Sequence, residues 1–255
     1  MIKHHPNINM LTSYAKGELP ASLSIAINIH SQLCSACKQH IDDLTEAQAA
    51  HSFEAASSQA HSHKTQAREE VSPILELELS TTLNDDLPDE FQHMFAGIIN
   101  DNESNEHDGN EAICSPPLHK TKDEVFSIKI KNQSYVLPKV LKNIDQGKWT
   151  HLGKINRAAL MLGEGDVHTH LLRIDPGGVV PEHTHKGFEL TLLLEGEFED
   201  ELGTYVKGDF ICLDSAHQHS PKTQKGCLCL TVVNDALHFT KGMSKLLNPI
   251  GSLIY

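Results

Sequence analysis

The stretch from His30 to Cys37 places one imidazole and two thiols at spacings that a single metal ion can bind. Positions i and i+4 of a helix share a face, so His30 and Cys34 project together and Cys37 returns to that side one turn later. A chance Cys-x₂-Cys or a redox pair would not need the histidine. Tetrahedral zinc takes four ligands. The sequence therefore predicts a zinc site whose fourth ligand is His4 or His5, and the residues alone leave that choice open.

The net charge and the cysteine content limit the classes of protein to which the chain can belong. The chain has 255 residues, enough for two modest domains, and a formal net charge of −13. This acidic balance disfavours direct binding to nucleic acid and favours a basic partner. The sequence contains no run of about 18 apolar residues, which a membrane-spanning helix would need, and no secretory signal is recognisable. The six cysteines do not resemble a disulfide framework, so they are interpreted as ligands or buried thiols of a cytoplasmic protein.

The first hundred residues carry helical periodicity. Gly17 and Pro20 separate the first two segments in which apolar residues recur at helical spacing. Further along the chain, a polar stretch rich in Ser, Ala, Gln and His precedes a strongly amphipathic segment. An acidic segment closed by Pro116 and Pro117 follows, and it is typical of a linker. The predicted helices cover 7–16, 21–33, 38–53 and 87–99. We thus predict a helical domain over 1–100, a zinc-binding bundle of about four helices, and a linker over 101–124.

From residue 125 onward the pattern changes to short runs of Val, Ile, Leu and Phe separated by Gly, Pro and Asp. Many short strands at this spacing are typical of a sandwich or barrel. The predicted strands cover 125–130, 158–162, 167–174, 189–194, 210–213 and 227–233. The fold class is therefore an α + β multidomain protein whose residues 125–255 form an all-β domain.

A second group of metal-binding residues lies within that domain. His183 and His185 alternate, so they would share one face of a strand, and Glu189 would lie further along the same face. His219 follows downstream, after Gly208 and Asp209.

These residues resemble the two motifs of the cupin superfamily. The first motif is Gly177, His183, His185, Glu189 and Gly196, and the second is Gly208, Asp209 and His219. The resemblance implies a small β-barrel that holds a metal on His183, His185, Glu189 and His219. Such a ligand set suits Zn²⁺, Mn²⁺, Fe²⁺ or Ni²⁺. Three further histidines, His168, His170 and His217, do not fit the motif spacing, so we expect them beside the site or on the surface.

The two halves together resemble the ChrR type of zinc-binding anti-sigma factor, in which a helical zinc domain precedes a cupin domain. The resemblance extends over Leu11 to Leu19 and Glu182 to Leu192, besides the two metal motifs. It implies that zinc in the first domain is bound by His5, His30, Cys34 and Cys37 and has a structural role. The long polar insert before the fourth predicted helix and the extra Cys114 depart from the pattern and leave the linker geometry open.

The resemblance also implies a function. An anti-sigma factor of this type binds an extracytoplasmic-function (ECF) sigma factor in the cytoplasm and is no enzyme. It releases its partner on oxidative stress, singlet oxygen or organic peroxide, sensed through the cupin domain. The alternative is a metal-dependent cupin enzyme such as a dioxygenase, with substrate on an open metal position. A third hypothesis makes Cys34 and Cys37 a thiol switch that ejects zinc on oxidation.

Overall fold

A computed structural model describes residues 1–62, 126–235 and 237–240 of the chain. The helices in this part are α1 (Ile8–Lys16), α2 (Ala21–Leu33) and α3 (Ser35–Ser62). The side chain of Asn7 caps α1 by accepting from the Met10 amide, and Gly17 ends it with a left-handed φ of 74°. The predictions for the first two helices are confirmed.

The third helix differs from its prediction at both ends. It begins at Ser35 rather than at residue 38, so Cys37 lies in its first turn, and it continues to Ser62, well past residue 53. The extension lacks an apolar face, but its many Ala, Gln and Glu residues have high helix propensity. The predicted fourth helix, at 87–99, and the linker, at 101–124, lie outside the described residues.

The β domain is built from antiparallel strands around one central pair. Thirteen strands are described: β1 (Ser127–Ile130), β2 (Gln133–Val136), β3 (Thr150–Leu152), β4 (Ile155–Leu160), β5 (His168–Ile174), β6 (Gly178–Val179), β7 (His183–His185), β8 (Glu189–Glu199), β9 (Thr204–Val206), β10 (Phe210–Leu213), β11 (Lys222–Thr223), β12 (Cys227–Val233) and β13 (Leu237–Phe239). The six predicted strands correspond to β1, β4, β5, β8, β10 and β12. The bounds of β10 and β12 agree with the prediction, and those of the other four are shifted. The remaining strands were missed because most have only two to four residues, too few to show alternation.

Strand β8 organises the sheet. The order is β3-β4-β5-β12-β8-β11-β6, and β9 and β10 also pair with β8. At Gly196 the strand bends with a φ of 82°, and a Cβ there would collide with the carbonyl oxygen of Gly226. The first half of β8 therefore pairs with β10 and β12, whereas its second half pairs with β9 and β11.

The helices pack directly on the β domain. Leu23 and Ile27 of α2 belong to the same buried apolar cluster as Leu190 and Leu230 of the central strands. The carboxylate of Glu164, in the loop after β4, accepts a hydrogen bond from the Ser22 amide in the first turn of α2, at 3.1 Å. Since the preceding Pro20 provides no side-chain cap, the β domain caps this helix. No helix of the described part is both long and apolar enough to cross a membrane.

Candidate metal centres

The first predicted site is assembled by the ends of the helices. His5 precedes α1, His30 lies in the last turn of α2, Cys34 lies between α2 and α3, and Cys37 lies in the first turn of α3. One potential ligand atom from each lies within 4.8 Å of all the others. The Nδ1 atom of His5 is 3.4 Å from Cys34 Sγ and 3.5 Å from Cys37 Sγ. His4 lies outside this group, with its ring centroid 4.9 Å from that of Tyr205.

The chemistry of this cluster fits zinc. His30 Nδ1 lies 2.7 Å from the Gly208 carbonyl oxygen, which can only accept, so Nδ1 carries the proton. The Nε2 lone pair of His30 is then directed at the cluster, 3.4 Å from His5 Nδ1. Burial lowers the pKa of His30, which favours the neutral ligating form. Burial and the adjacent Cys34 raise the pKa of Cys37 to about 12, so metal binding must displace a thiol proton.

The second predicted site lies where two strands meet. His183 and His185 belong to β7, and Glu189 is the first residue of β8. The expectation that Glu189 continues the same strand face is wrong, because the chain leaves β7 after His185 and turns before β8. The backbones of His183 and His219 form a bridge, with both N–O distances at 3.1 Å.

The side chains of this second group converge. Potential ligand atoms of His183, His185, Glu189 and His219 all lie within 4.8 Å of one another. The Nε2 atoms of His183 and His219 are 2.9 Å apart, and His185 Nε2 is 3.0 Å from Glu189 Oε2. Yet the buried ring nitrogens of His185 and Oε2 of Glu189 make no well-aligned hydrogen bond. Polar atoms that converge without satisfying one another fit a metal site of three imidazoles and a carboxylate.

Residues outside the candidate ligand group orient two of these imidazole rings. His183 Nδ1 donates to the Pro181 carbonyl oxygen at 2.8 Å, and His219 Nδ1 lies 3.1 Å from Asp200 Oδ2. Both Nε2 atoms are thereby directed inward. Nothing in the sequence pattern indicated Asp200, which is 19 residues from His219 and reaches it only in the folded chain.

The surroundings of the second cluster shift the pKa values of its side chains in different directions. Burial and the nearby His219 lower the pKa of His183 to about 4. Burial alone would lower the pKa of His219, but the nearby carboxylates of Asp200 and Glu189 outweigh it and raise that pKa to about 9. Burial would raise the pKa of Glu189, but His185 and His219 hold it well below its usual range. Glu189 is thus ionised, and a divalent ion would take the place of the proton on His219.

A cavity of about 140 Å³ adjoins this cluster. His183, Glu189 and His219 form part of its wall, and most of the remaining wall is apolar, with Arg157 and His170 among the exceptions. An apolar cavity of about this size holds a molecule as large as benzene. The cavity therefore gives a small organic molecule room beside the candidate metal ligands.

The three histidines that did not fit the motif spacing, His168, His170 and His217, lie outside both clusters. His170 is buried, and burial followed by Arg157 and His168 lowers its pKa to about 3. His168 is exposed at the start of β5, and the exposed His217 has Nδ1 2.6 Å from the Asp214 carboxylate.

Comparisons with known proteins agree with this architecture. Residues 138–236 match the family model described as "ChrR Cupin-like domain". The anti-sigma-E factor ChrR of Cereibacter sphaeroides is 26% identical over 250 residues, which cover 97% of each chain. The crystal structure of Rhodobacter sphaeroides SigE in complex with the anti-sigma ChrR matches with a TM-score of 0.50 and 24% identity, covering 91% of this chain and 99% of that chain.

These matches define a two-domain protein in which a helical His/Cys module precedes a ChrR cupin-like domain. Within that class the chain is similar to the ChrR type over nearly its whole length.

Proposed function

We propose that this chain is an anti-sigma factor that binds an ECF sigma factor in the cytoplasm. The similarity to the anti-sigma-E factor ChrR, which covers 97% of both chains, carries the proposal. This similarity extends over the helical module, which a cupin enzyme acting alone would not need. A net charge of −13 suits a partner that is basic because it must itself bind DNA.

In the proposed mechanism, each domain has its own metal. Zinc on His5, His30, Cys34 and Cys37 holds the N-terminal segment and the ends of α2 and α3 together. The helical domain then presents a fixed surface that covers the sigma factor and keeps it from RNA polymerase. The chemistry supplied by the metal is a structural cross-link between helices, and no reaction is needed at this site.

The cupin domain is the sensory half in this proposal. His183, His185, Glu189 and His219 would hold Zn²⁺ or another divalent transition metal beside the cavity. Oxidation by singlet oxygen or an organic peroxide at this domain would alter the contacts with the helices and release the sigma factor. The cavity, open to a small organic molecule at the metal-binding side chains, supports a role in sensing such a compound.

Binding to the sigma factor tests the proposal. We expect a tagged ECF sigma factor, taken from the gene beside that of this chain, to co-purify with the full chain. The complex should disappear when residues 1–100 are deleted. Circular dichroism and metal content of the deleted chain check that its cupin domain is folded. Persistence of the complex without residues 1–100 would contradict the proposal.

A cupin enzyme is the alternative, and the cavity beside four potential ligands is the observation in its favour. It predicts oxygen uptake or turnover of a small substrate by the metal-loaded chain, lost in His183→Ala. Metal-loaded protein that is silent across a broad substrate screen would count against the enzyme.

A further inference from the structure

The turn that joins β9 to β10 touches the first metal cluster. The Gly208 carbonyl accepts the hydrogen bond from His30 Nδ1, and this bond is buried. It fixes the ring orientation and the tautomer of a candidate ligand from the other domain. Gly208 has a φ of 94°, and a side chain there would crowd Ile2 in the N-terminal segment. The cupin domain thus contributes directly to the surroundings of the first metal cluster.

Asp209, the next residue of the turn, holds the N-terminal segment in place. Its fully buried carboxylate accepts from the backbone amides of Lys3, at 2.7 Å, and His4, at 3.0 Å. The other oxygen accepts from the Val206 amide at 2.8 Å, which anchors the carboxylate in its own domain. The Phe210 amide donates to the His4 carbonyl at 3.0 Å. These bonds position the backbone immediately before His5, which has no cap or helix of its own.

The same region reaches the second metal cluster. The ring of Tyr205, in β9, contacts the ring of His4, and burial together with the adjacent Asp200 carboxylate raises the pKa of the Tyr205 hydroxyl. Asp200 in turn partners Nδ1 of His219, a candidate ligand of the cupin metal. A continuous series of contacts therefore runs from His219 through Asp200 and Tyr205 to the segment that carries His5.

We propose that the two metal centres are energetically coupled through this series of contacts. We call it the β9–β10 connection, and it comprises His219, Asp200, Tyr205 and the turn at Gly208 and Asp209. A metal on His219 fixes its ring, and the fixed ring keeps Asp200 and Tyr205 in the positions that support the N-terminal segment. The first cluster is then preorganised for its own metal. Each metal binds more tightly when the other is bound, because coupling between binding sites is reciprocal. The inference concerns metal affinity alone and does not depend on the identity of a protein partner.

A cobalt titration of the full chain distinguishes metal binding at the two sites. Only the first cluster has thiolates, so the thiolate-to-cobalt charge-transfer absorption reports on that site alone, since the second offers three imidazoles and a carboxylate. His183→Ala removes a candidate ligand of the second site and leaves Asp200, Tyr205 and the turn at Gly208 and Asp209 unsubstituted. We expect it to weaken cobalt binding at the first site by about tenfold, within the range of about 5- to 150-fold seen for coupled sites. Equal first-site affinities in His183→Ala and the parent chain would overturn the proposal.

Two further variants test the route. Tyr205→Phe keeps the ring against His4 but removes the hydroxyl beside the Asp200 carboxylate, so in that background His183→Ala should change first-site affinity by less than about threefold. Glu164→Gln weakens a different contact between the domains, the one to Ser22, and should leave the full effect of His183→Ala. If Tyr205→Phe leaves the coupling intact, or Glu164→Gln removes it as completely, the β9–β10 connection is not its route.

Discussion

Replacing Cys34 with alanine should deprive the helical domain of its metal and of most of its helical structure. Cys34 is 7% exposed and joins α2 to α3, and its backbone bonds to His30 and Lys38 survive the substitution, so the loss is that of Sγ. The core of the small helical domain rarely supplies more than about 3–5 kcal/mol by itself, to which its packing on the β domain adds, whereas a structural zinc supplies about 10–16 kcal/mol of apparent binding free energy. The metal-free module should therefore be largely unfolded.

Zinc content and far-ultraviolet circular dichroism measure this effect. We expect one equivalent of zinc and a large part of the helical signal to be lost, and the sigma-factor complex to weaken by at least about 100-fold, because only the small folded fraction remains competent. Cys212→Ala is the matched control, since Cys212 is an exposed cysteine of β10 outside both clusters. A Cys34→Ala chain that keeps its zinc and its helical signal would contradict a structural metal site.

The second large effect is expected for His183→Ala, which should leave the cupin domain without its metal. The His183 ring is buried, and its hydrogen bond to the Pro181 carbonyl directs Nε2 at the cluster, so alanine removes an oriented ligand atom. Losing an outer partner of a metal site typically weakens binding about 10–100-fold, and losing a ligand should cost at least as much. Metal content per chain, after dialysis against a chelator, should fall from two equivalents to one.

His217→Ala is the control for this substitution. His217 lies two residues before His219 in the sequence, but its side chain is exposed and paired with Asp214. It should retain two equivalents of metal. A chain that retains both metals in His183→Ala, or that loses one in His217→Ala, would show that the second ligand set is wrong.

The first two helices could be predicted because apolar periodicity and local stop signals agree. Leu23 and Ile27 lie one turn apart on the buried face of α2, and Gly17 ends α1 as its residue type favours. The length of α3 could not be predicted in this way. Its second half consists mostly of Ala, Ser, Gln and His with Phe53 as the one large apolar residue, and periodicity provides no signal for a helix without an apolar face.

The candidate ligands were predictable, but their surroundings were not. His183 and His185 alternate within a strand, and His30 and Cys34 have helical spacing, so local geometry indicates each pair. His4 and His5 are consecutive, and long-range contacts such as those of Asp209 with Lys3 and His4 set the direction in which each ring points. Such bonds join residues more than 200 positions apart, beyond the reach of any local pattern.

Transcription in vitro tests the central claim most directly. RNA polymerase loaded with the ECF sigma factor would transcribe a promoter of that factor while the zinc-loaded full chain is added in increasing amounts. The anti-sigma account predicts that transcription falls to background near one equivalent of chain per sigma factor, and that Cys34→Ala chain leaves it active. Undiminished transcription at a large excess of the folded, zinc-loaded chain would contradict the account.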